Sequence, residues 1–295
     1  MKTMIAKTRI ALLLAGAAAL AAVPALAQDA DHLWTKSYPV SGRPTLNLEI
    51  GDAGVQISSC ATCREIRIKV ETEGIKLSDY RLEESQTQDQ IHFLFKEKTH
   101  IGVHVTLHKT RTQVTVETPA ELTLEARSGD GNVSVSGLGG DLGLTTSDGN
   151  VTADHLSGKL RVKSSDGHVK ITDSSGSLEA RTSDGNLTVD GVFNAVALHT
   201  SDGQLEVRLR EGTKLSEPSS IQASDGSVTV RVPQGFAADL DVHTSDGHLD
   251  CALPLTMDHY DSKDGGGRNL HGKLNGGGTP LTIHTSDGNV KIEQL

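Results

Sequence analysis

Apolar and polar residues alternate along most of the chain, and beyond residue 120 the alternation repeats with a fixed period. Asp-Gly pairs mark this period, because the first five follow one another at a constant interval of about 18 residues. Later pairs are separated by wider and unequal intervals. The aspartates of these pairs are Asp130, Asp148, Asp166, Asp184, Asp202, Asp225, Asp246 and Asp287. A sequence repeat of this length is typical of solenoid proteins, in which each repeat stacks on the next.

Each repeat contains two segments with the period-2 alternation that predicts a half-buried β-strand. Counted from the Asp as position zero, aliphatic residues stand at −6 and −4, as Leu142 and Leu144 do. They return at +3 and +5, as Val169 and Ile171 do. The Asp-Gly pair predicts a sharp corner between the strands, in which Asp accepts backbone hydrogen bonds and Gly supplies a positive φ. The sequence therefore predicts an all-β fold, a parallel β-helix or β-solenoid with coils of about 18 residues.

Residues 28–120 precede the regular repeats and are predicted to form an N-terminal β-rich cap. An open solenoid end presents unpaired backbone groups and needs such a cover. The cap includes a degenerate coil, since several of its residues fall on the columns of the later repeats. These residues are Leu46, Leu48, Asp52, Val55 and Ile57. The polar segment between Gly74 and Gln90 has no sustained helical stripe and is predicted to be a loop.

Residues 121–295 are predicted to form the solenoid proper, with two interruptions. Residues 211–219 hold a short insertion, and residues 254–278 form a longer insertion that contains two Gly-Gly-Gly runs. The last coil has no cap of its own in the sequence. We therefore expect the longer insertion to fold over that coil.

Residues 1–27 have the pattern of a secretory signal peptide. Basic residues precede an apolar run, and an Ala-Leu-Ala sequence ending at Ala27 supplies small residues for cleavage. No later apolar run approaches membrane-spanning length, so we expect a periplasmic or secreted protein of the cell envelope without a transmembrane segment. Cleavage removes three of the 28 basic side chains and none of the 38 acidic ones, which leaves a net charge of −13. Such a charge disfavours nucleic acids and anionic membranes as partners.

Three cysteines occur in the sequence. Cys60 and Cys63 can meet across a tight turn, and in an oxidising compartment a disulfide is the leading interpretation. The alternative is a redox Cys-x-x-Cys motif, but such motifs begin a helix, whereas the flanking residues here have a β pattern. Cys251 falls on an inward position of the repeat and is predicted to be a small core residue.

Stacked repeats would place the Asp-Gly aspartates in a column with neighbours about 5 Å apart. A bound cation such as Ca²⁺ would relieve the repulsion between them, and oxygen ligands suit it. The candidate ligands are Asp148, Asp166, Asp184 and Asp202. The simpler interpretation, that Asp-Gly only builds the turn, is favoured, because calcium-binding β-rolls use a short Gly-rich repeat that only residues 137–142 resemble. We therefore predict no cofactor.

Histidines offer two further patterns. One set is spaced by four residues: His100, His104 and His108. On a helix this spacing would align them for a metal, but the flanking alternation predicts a strand, on which they span about 13 Å. We therefore favour the interpretation that these histidines lie on the solvent-exposed face of a strand and do not bind a metal. His199, Ser201 and Asp202 are the residue types of a catalytic triad, but their adjacency on one strand does not build its geometry.

These features together resemble a family of bacterial proteins built of β-strand repeats, which is named "putative adhesin" and classed as a domain of unknown function. The resemblance rests on the signal segment, the strand-rich leader ending in Val114-Thr-Val-Glu-Thr-Pro119 and the recurring Thr-Ser-Asp-Gly-Asn-Val. The closing stretch from Gly272 to Val290 supports it. The resemblance implies an exported β-solenoid for which adhesion or envelope-stress roles are proposed, and it brings no catalytic residues.

The leading hypothesis is an exported, non-enzymatic module that binds or supports the cell envelope, with an envelope or surface protein or polysaccharide as its partner. An envelope-stress sensing protein is the first alternative. The second is an enzyme acting on polysaccharides, since the β-helices of lyases and hydrolases carry clustered acids in a groove. Five successive short coils leave no room for such a groove. The two interruptions are therefore the places where a catalytic site could be built.

Overall fold

The computed structural model describes residues 31–98, 110–262 and 268–295. Over these ranges the chain forms 23 β-strands and one short 3-10 turn at Leu77–Asp79, with no α-helix, so the predicted all-β class is confirmed. The predicted signal peptide at residues 1–27 and the histidines at positions 100, 104 and 108 lie outside the described residues. No helix within the described ranges is long and apolar enough to cross a membrane.

The strands are numbered in chain order. The first nine are β1 (Leu33–Pro39), β2 (Thr45–Ile50), β3 (Gly54–Ser59), β4 (Glu65–Glu73), β5 (Tyr80–Thr87), β6 (Gln90–Glu97), β7 (Arg111–Thr118), β8 (Glu121–Arg127) and β9 (Val133–Ser136). The next seven are β10 (Gly139–Thr145), β11 (Val151–Asp154), β12 (Ser157–Lys163), β13 (Val169–Thr182), β14 (Leu187–Thr200), β15 (Leu205–Leu209) and β16 (Ser219–Ala223). The last seven are β17 (Val228–Val232), β18 (Ala238–Thr244), β19 (Leu249–Cys251), β20 (Leu255–Ser262), β21 (Arg268–Leu274), β22 (Pro280–Thr285) and β23 (Val290–Gln294).

Two ladders of parallel strands run through the molecule. Each repeat contributes one strand to the first ladder and one strand to the second. The first ladder contains β6, β2 and the strand before each Asp-Gly corner, in the spatial order β6, β2, β8, β10, β12, β13, β14, β16, β22, β18. The second ladder contains the strand after it, in the order β7, β3, β9, β11, β13, β14, β15, β17, β23, β19. The long strands β13 and β14 belong to both ladders because each continues through the looser corner.

Equivalent residues of successive repeats face one another in both ladders. Leu142 pairs with Leu124 on one side and with Leu160 on the other, a step of one whole repeat each time. Val151 pairs in the same way with Val169. All these side chains are buried, and each buried aliphatic contributes about 1.5–3 kcal/mol. The apolar columns predicted from the period therefore form the core.

The first repeat is formed by β2 and β3, as the column pattern predicts. Leu46 pairs with Leu124, and Val55 pairs with Val133, so both residues stand on the columns of the regular repeats. Beyond this repeat, β6 and β7 add one parallel strand to each ladder. Antiparallel strands then complete this end: β5 pairs with β6, β4 pairs with β7, and β1 pairs with the other edge of β4.

Strand β5 corrects the prediction of a loop between Gly74 and Gln90. Its residues pair antiparallel with β6, and the ring of Tyr80 stacks on Phe95 with centroids 4.4 Å apart. Leu82 also packs against the core. The rest of the strand is polar because β5 is an edge strand. Two apolar residues were too few to signal a strand in the sequence.

The repeat formed by β22 and β23 lies inside the molecule, which corrects the expectation that the insertion covers it. Strand β22 pairs with β16 on one side and with β18 on the other, and β23 lies between β17 and β19. The insertion instead forms the antiparallel strands β20 and β21, and β21 covers β18. The repeat that is last in the chain is therefore one position from the end of the stack.

Candidate functional site

The threonine hydroxyl of the Thr-Ser-Asp-Gly corner binds neighbouring repeats together. Thr200 is buried, and its Oγ1 is shared between the carbonyl oxygens of Ser183 and Gly185 at 3.3 and 3.2 Å. The same oxygen accepts the backbone N–H of Gly203 at 3.2 Å. Thr182 makes the equivalent bonds to the repeat before it. The residue at −2, rather than the carboxylate, thus satisfies the backbone of the corner.

The glycine of each Asp-Gly pair lies against the backbone of the neighbouring repeat. A Cβ on Gly167 would lie 2.0 Å from the carbonyl oxygen of Gly149. This corrects the expectation that these glycines supply a positive φ, because neither Gly167 nor Gly149 has one. The positive φ belongs to the looser corner, as at Gly158, where φ is 99°. Glycine at the sharp corner is required for close approach of the repeats.

The four aspartates proposed as calcium ligands, Asp148, Asp166, Asp184 and Asp202, are exposed. Their backbones take part in the corner, as when Asp184 N donates to Ser165 O at 3.1 Å. Their carboxylates form neither a hydrogen bond nor an ion pair with the rest of the described chain. Calcium binding by this column, the less favoured of the two interpretations, stays an untested hypothesis.

The asparagine that follows the corner forms a hydrogen-bonded column of its own. Asn132 Oδ1 accepts the backbone N–H of Asn150 at 2.9 Å, and Asn150 Oδ1 accepts that of His168 at 2.8 Å. Farther along, Asn186 Oδ1 accepts the N–H of Gln204 at 2.9 Å. The motif therefore contains two side chains that form hydrogen bonds to a neighbouring repeat, Thr at −2 and Asn at +2.

A charged cluster at the looser corner was not found from the sequence. Ligand atoms of Asp154, His155 and Asp173 lie within 4.8 Å of one another, so these residues could hold a metal ion. His155 Nδ1 is 2.7 Å from an oxygen of Asp154, and Thr172 Oγ1 donates to the other oxygen at 2.7 Å. The bonds from Thr172 and His155 lower the pKa of Asp154, and the Asp154 carboxylate raises the pKa of His155.

Arg210 reaches this cluster from a later repeat and places a positive charge beside its carboxylates. Its guanidinium donates to both Asp173 and Asp190, and these bonds raise its pKa further. A metal ion would therefore compete with a cation that is already in place. His155 and Asp173 also have a local role, because both have positive φ, 53° and 51°, a conformation in which His and Asp are enriched. Following the +6 and +7 positions from repeat to repeat would have revealed the cluster.

The outer face of the first ladder has a recess where two adjacent strands carry small side chains. Ala197 on β14 and Ser220 on β16 pair with each other in register. Arg181, His199 and Gln222 surround them and leave a cavity of about 250 Å³. Ala197 is exposed, whereas the neighbouring Leu198 points into the core. The recess therefore has a small, open floor and a rim of hydrogen-bonding side chains.

The triad-like residues do not converge. Thr200, between His199 and Ser201, is buried and bound to the preceding repeat. Asp202 is exposed at the corner. The hydrogen bonds within the described residues do not join His199 to either Ser201 or Asp202. These residue types recur because the repeat recurs.

The cysteines lie at opposite ends of the molecule. Cys60 and Cys63 form a disulfide across the turn after β3, with their Cα atoms 5.5 Å apart. Cys251 lies on β19, the outer strand of the second ladder, where it pairs with Ile292 of β23 and is only partly buried. Burial still raises the pKa of its thiol. Cys251 was predicted to be a buried core residue. It is partly exposed because, among the described residues, no further repeat pairs with the outer edge of β19.

The parallel ladders and the recurring corners define an all-β repeat protein. The chain belongs to the Toastrack family DUF4097, whose model matches residues 45–293. The matched range begins with β2 and ends within β23, so all the repeats lie inside it.

Solved structures with low sequence identity are also similar. A "putative adhesin" from Bacteroides fragilis NCTC 9343 is 13% identical over 89% of this chain and 97% of that chain, with a TM-score of 0.38. Another from Parabacteroides merdae ATCC 43184 is 11% identical over 90% and 96%, with a TM-score of 0.40. A "putative lipid binding protein" from Parabacteroides distasonis ATCC 8503 is 13% identical over 90% and 97%, with a TM-score of 0.37. These scores are too low to transfer a function. No curated protein matches the chain.

Proposed function

We propose that the chain is an exported, non-enzymatic β-solenoid with an N-terminal cap and coils of about 18 residues, a length typical of solenoid repeats. It acts as an adhesin-like or envelope-associated binding module in the periplasm or outside the cell. Its partner is an envelope or surface polysaccharide. The sequence resemblance and the regular parallel pairing support this proposal.

The recess around Ala197 carries the proposal. Its floor is formed by the small side chains of Ala197 and Ser220, so an extended ligand can approach the sheet closely there. The rim offers the guanidinium of Arg181, the amide of Gln222 and the imidazole of His199. These groups supply hydrogen-bond donors and acceptors for sugar hydroxyls. An open recess with a polar rim on the face of a sheet suits a linear polysaccharide better than a small apolar molecule.

The composition of the recess also favours binding over turnover. Glycoside hydrolysis ordinarily needs a pair of carboxyl groups on either side of the scissile bond. None of the side chains that line the recess is a carboxylate. The nearest acid on the same strand as Arg181 is Glu179, which is ion-paired to Arg181 at 3.1 Å.

Incubation of the purified protein with pectin, alginate and peptidoglycan tests the proposal. We expect retention on at least one polymer without release of reducing or unsaturated ends. Ala197→Trp should fill the recess and weaken retention. Thr152→Trp, on the exposed face of the second ladder, is the matched control and should leave retention unchanged.

Three results would count against the proposal. Release of sugar ends would indicate an enzyme. Equal retention of the Ala197→Trp and Thr152→Trp variants would remove the recess from the binding surface. Failure of the folded protein to bind any of the polymers would exclude them as the ligand class.

A further inference from the structure

The repeat formed by β22 and β23, residues 280–294, fills a slot between two repeats that precede it in the chain. We call it the inserted repeat. After β17 the chain passes over this slot to build β18 and β19, and then forms the hairpin of β20 and β21. It returns only afterwards to fill the slot. The inserted repeat is thus held on both sides by strands to which it is not directly connected.

The contacts in the slot use features that recur in the other repeats. Ile283 pairs with Ile221 on one side and with Val242 on the other. Thr285 Oγ1 is shared between the carbonyl oxygens of Ser224 and Gly226 at 3.1 and 3.0 Å. On the opposite side, Thr244 donates to the carbonyl of Gly288 at 3.0 Å. The slot is therefore complementary to this repeat whichever copy of the chain supplies it.

A short segment connects β21 to the inserted repeat. Residues 275–279, which we call the hinge, reverse the chain direction between β21 and β22. Asn275, Gly276 and Gly277 have φ values of 49°, 88° and 84°, so three successive residues adopt the left-handed conformation. Asn275 Nδ2 donates to Phe236 O at 2.8 Å, and Gly278 N donates to Asp239 at 3.0 Å. A few local bonds hold this reversal in place.

We propose that the inserted repeat is exchangeable between two copies of this chain, so that each copy fills the slot of the other. Reciprocal exchange reproduces every contact of the slot and changes only the hinge, which is the condition for domain swapping. In dilute solution the intramolecular arrangement prevails, because the repeat is tethered beside its own slot. A high protein concentration or a strained hinge favours the dimer. This inference does not depend on the proposed binding function.

Disulfide trapping tests whether the slot accepts another copy. Thr229 on β17 and Lys291 on β23 are paired neighbours on the outer face of the second ladder. One full-length chain carries Thr229→Cys and a second carries Lys291→Cys, both with Cys251→Ser. After joint refolding at high protein concentration, we expect a disulfide-linked heterodimer. A single chain with both cysteines is the control and should form the bond within itself.

A hinge variant tests the mechanism. Gly276 and Gly235 both have positive φ, 88° and 79°, and an added Cβ would meet no atom within 4 Å at either position. Valine imposes a similar left-handed strain at both sites, but only Gly276 lies in the hinge. We expect Gly276→Val to raise the dimer-to-monomer ratio about tenfold by light scattering. Gly235→Val should leave the ratio unchanged.

The outcomes are distinguishable. A heterodimer that increases with Gly276→Val and not with Gly235→Val supports the exchange. If the double-cysteine chain forms its internal bond but the heterodimer does not appear, the proposed exchange is wrong, whereas the pairing of β23 with β17 in the slot is correct. Failure of that internal bond overturns the slot itself. Equal dimer fractions in the Gly276→Val and Gly235→Val variants overturn the role of the hinge.

Discussion

The imidazole rings of His243 and His284 stack face to face, with centroids 4.9 Å apart and planes 9° from parallel. The two residues are distant in the chain and stand on the same column because β22 lies next to β18. His243 also contacts Asn269 of β21 through Nδ1. Two ionisable rings therefore lie at the boundary between the inserted repeat and the repeat that covers it.

This pair predicts a loss of stability at acidic pH. Burial, and then the neighbouring His243, lowers the pKa of His284 below its ordinary value of 6.5, while Asp241 opposes the shift. The unfolded chain therefore binds the proton more readily than the folded chain. Stability should fall as the pH drops through about 6.5 toward the lower folded pKa, and this group contributes no further loss below it.

Thermal unfolding at about pH 7.5 and about pH 5 measures this effect. We expect His284→Gln to reduce the pH dependence of the melting temperature. His199→Gln, on the same column but away from the stacked pair, is the control. The titratable neighbours Asp241 and His271, which are 3.4 Å apart, are unchanged in both variants. An identical pH dependence in the two variants would contradict the role of the stacked pair.

Removing the hydroxyl of Thr200 should destabilise the protein. Thr200→Val keeps the shape but leaves the N–H of Gly203 and the carbonyls of Ser183 and Gly185 without this partner. A buried polar group without its partner costs about 1–3 kcal/mol. We expect a loss of that size in chemical denaturation. Thr188→Val, at an outward position of β14, should change stability little, and equal losses in the two variants would count against the corner assignment.

A methyl group at the sharp corner should be far more damaging than one elsewhere. In Gly167→Ala the new Cβ would lie 2.0 Å from the carbonyl oxygen of Gly149, so the repeats would have to separate. We expect a loss above about 4 kcal/mol, or no folded protein. Gly42→Ala is the control, because its Cβ would meet only the tip of Asp89 at 3.3 Å. Similar stability of both variants would show that the repeats do not approach this closely.

The period of the sequence predicted the ladders because every repeat uses the same local rules. Aliphatics such as Leu142 and Val169 alternate with polar residues, and Asp-Gly pairs mark the corners, so short-range patterns determined the columns. The role of the corner glycine was predicted wrongly. Close approach between repeats is a property of stacking, and the sequence of one repeat does not reveal it.

The spatial order of the last repeats was beyond the sequence. Leu240 and Val242 place the same kind of side chain on the columns as Leu281 and Ile283 do, so either repeat fits either position. The order of the two repeats is decided by the hairpin of β20 and β21, because β21 pairs with the free edge of β18 and so places the repeat of β18 at the end of the stack. The same limit applies to the cluster at the looser corner, since Arg210 reaches it from another repeat.

The ion pairs of Arg210 provide a last prediction. Arg210 joins Asp173 and Asp190 from two other repeats, and its own side chain is 39% exposed. Solvent screens such a pair, so Arg210→Met should cost about 0.5–1 kcal/mol at low salt. The loss should shrink in about 1 M salt, where the Debye length is roughly 3 Å. Arg208→Met, an exposed position on β15, should show neither effect. A loss that is independent of salt would assign Arg210 a packing role, because its aliphatic stem covers the corner whether or not the charge is screened.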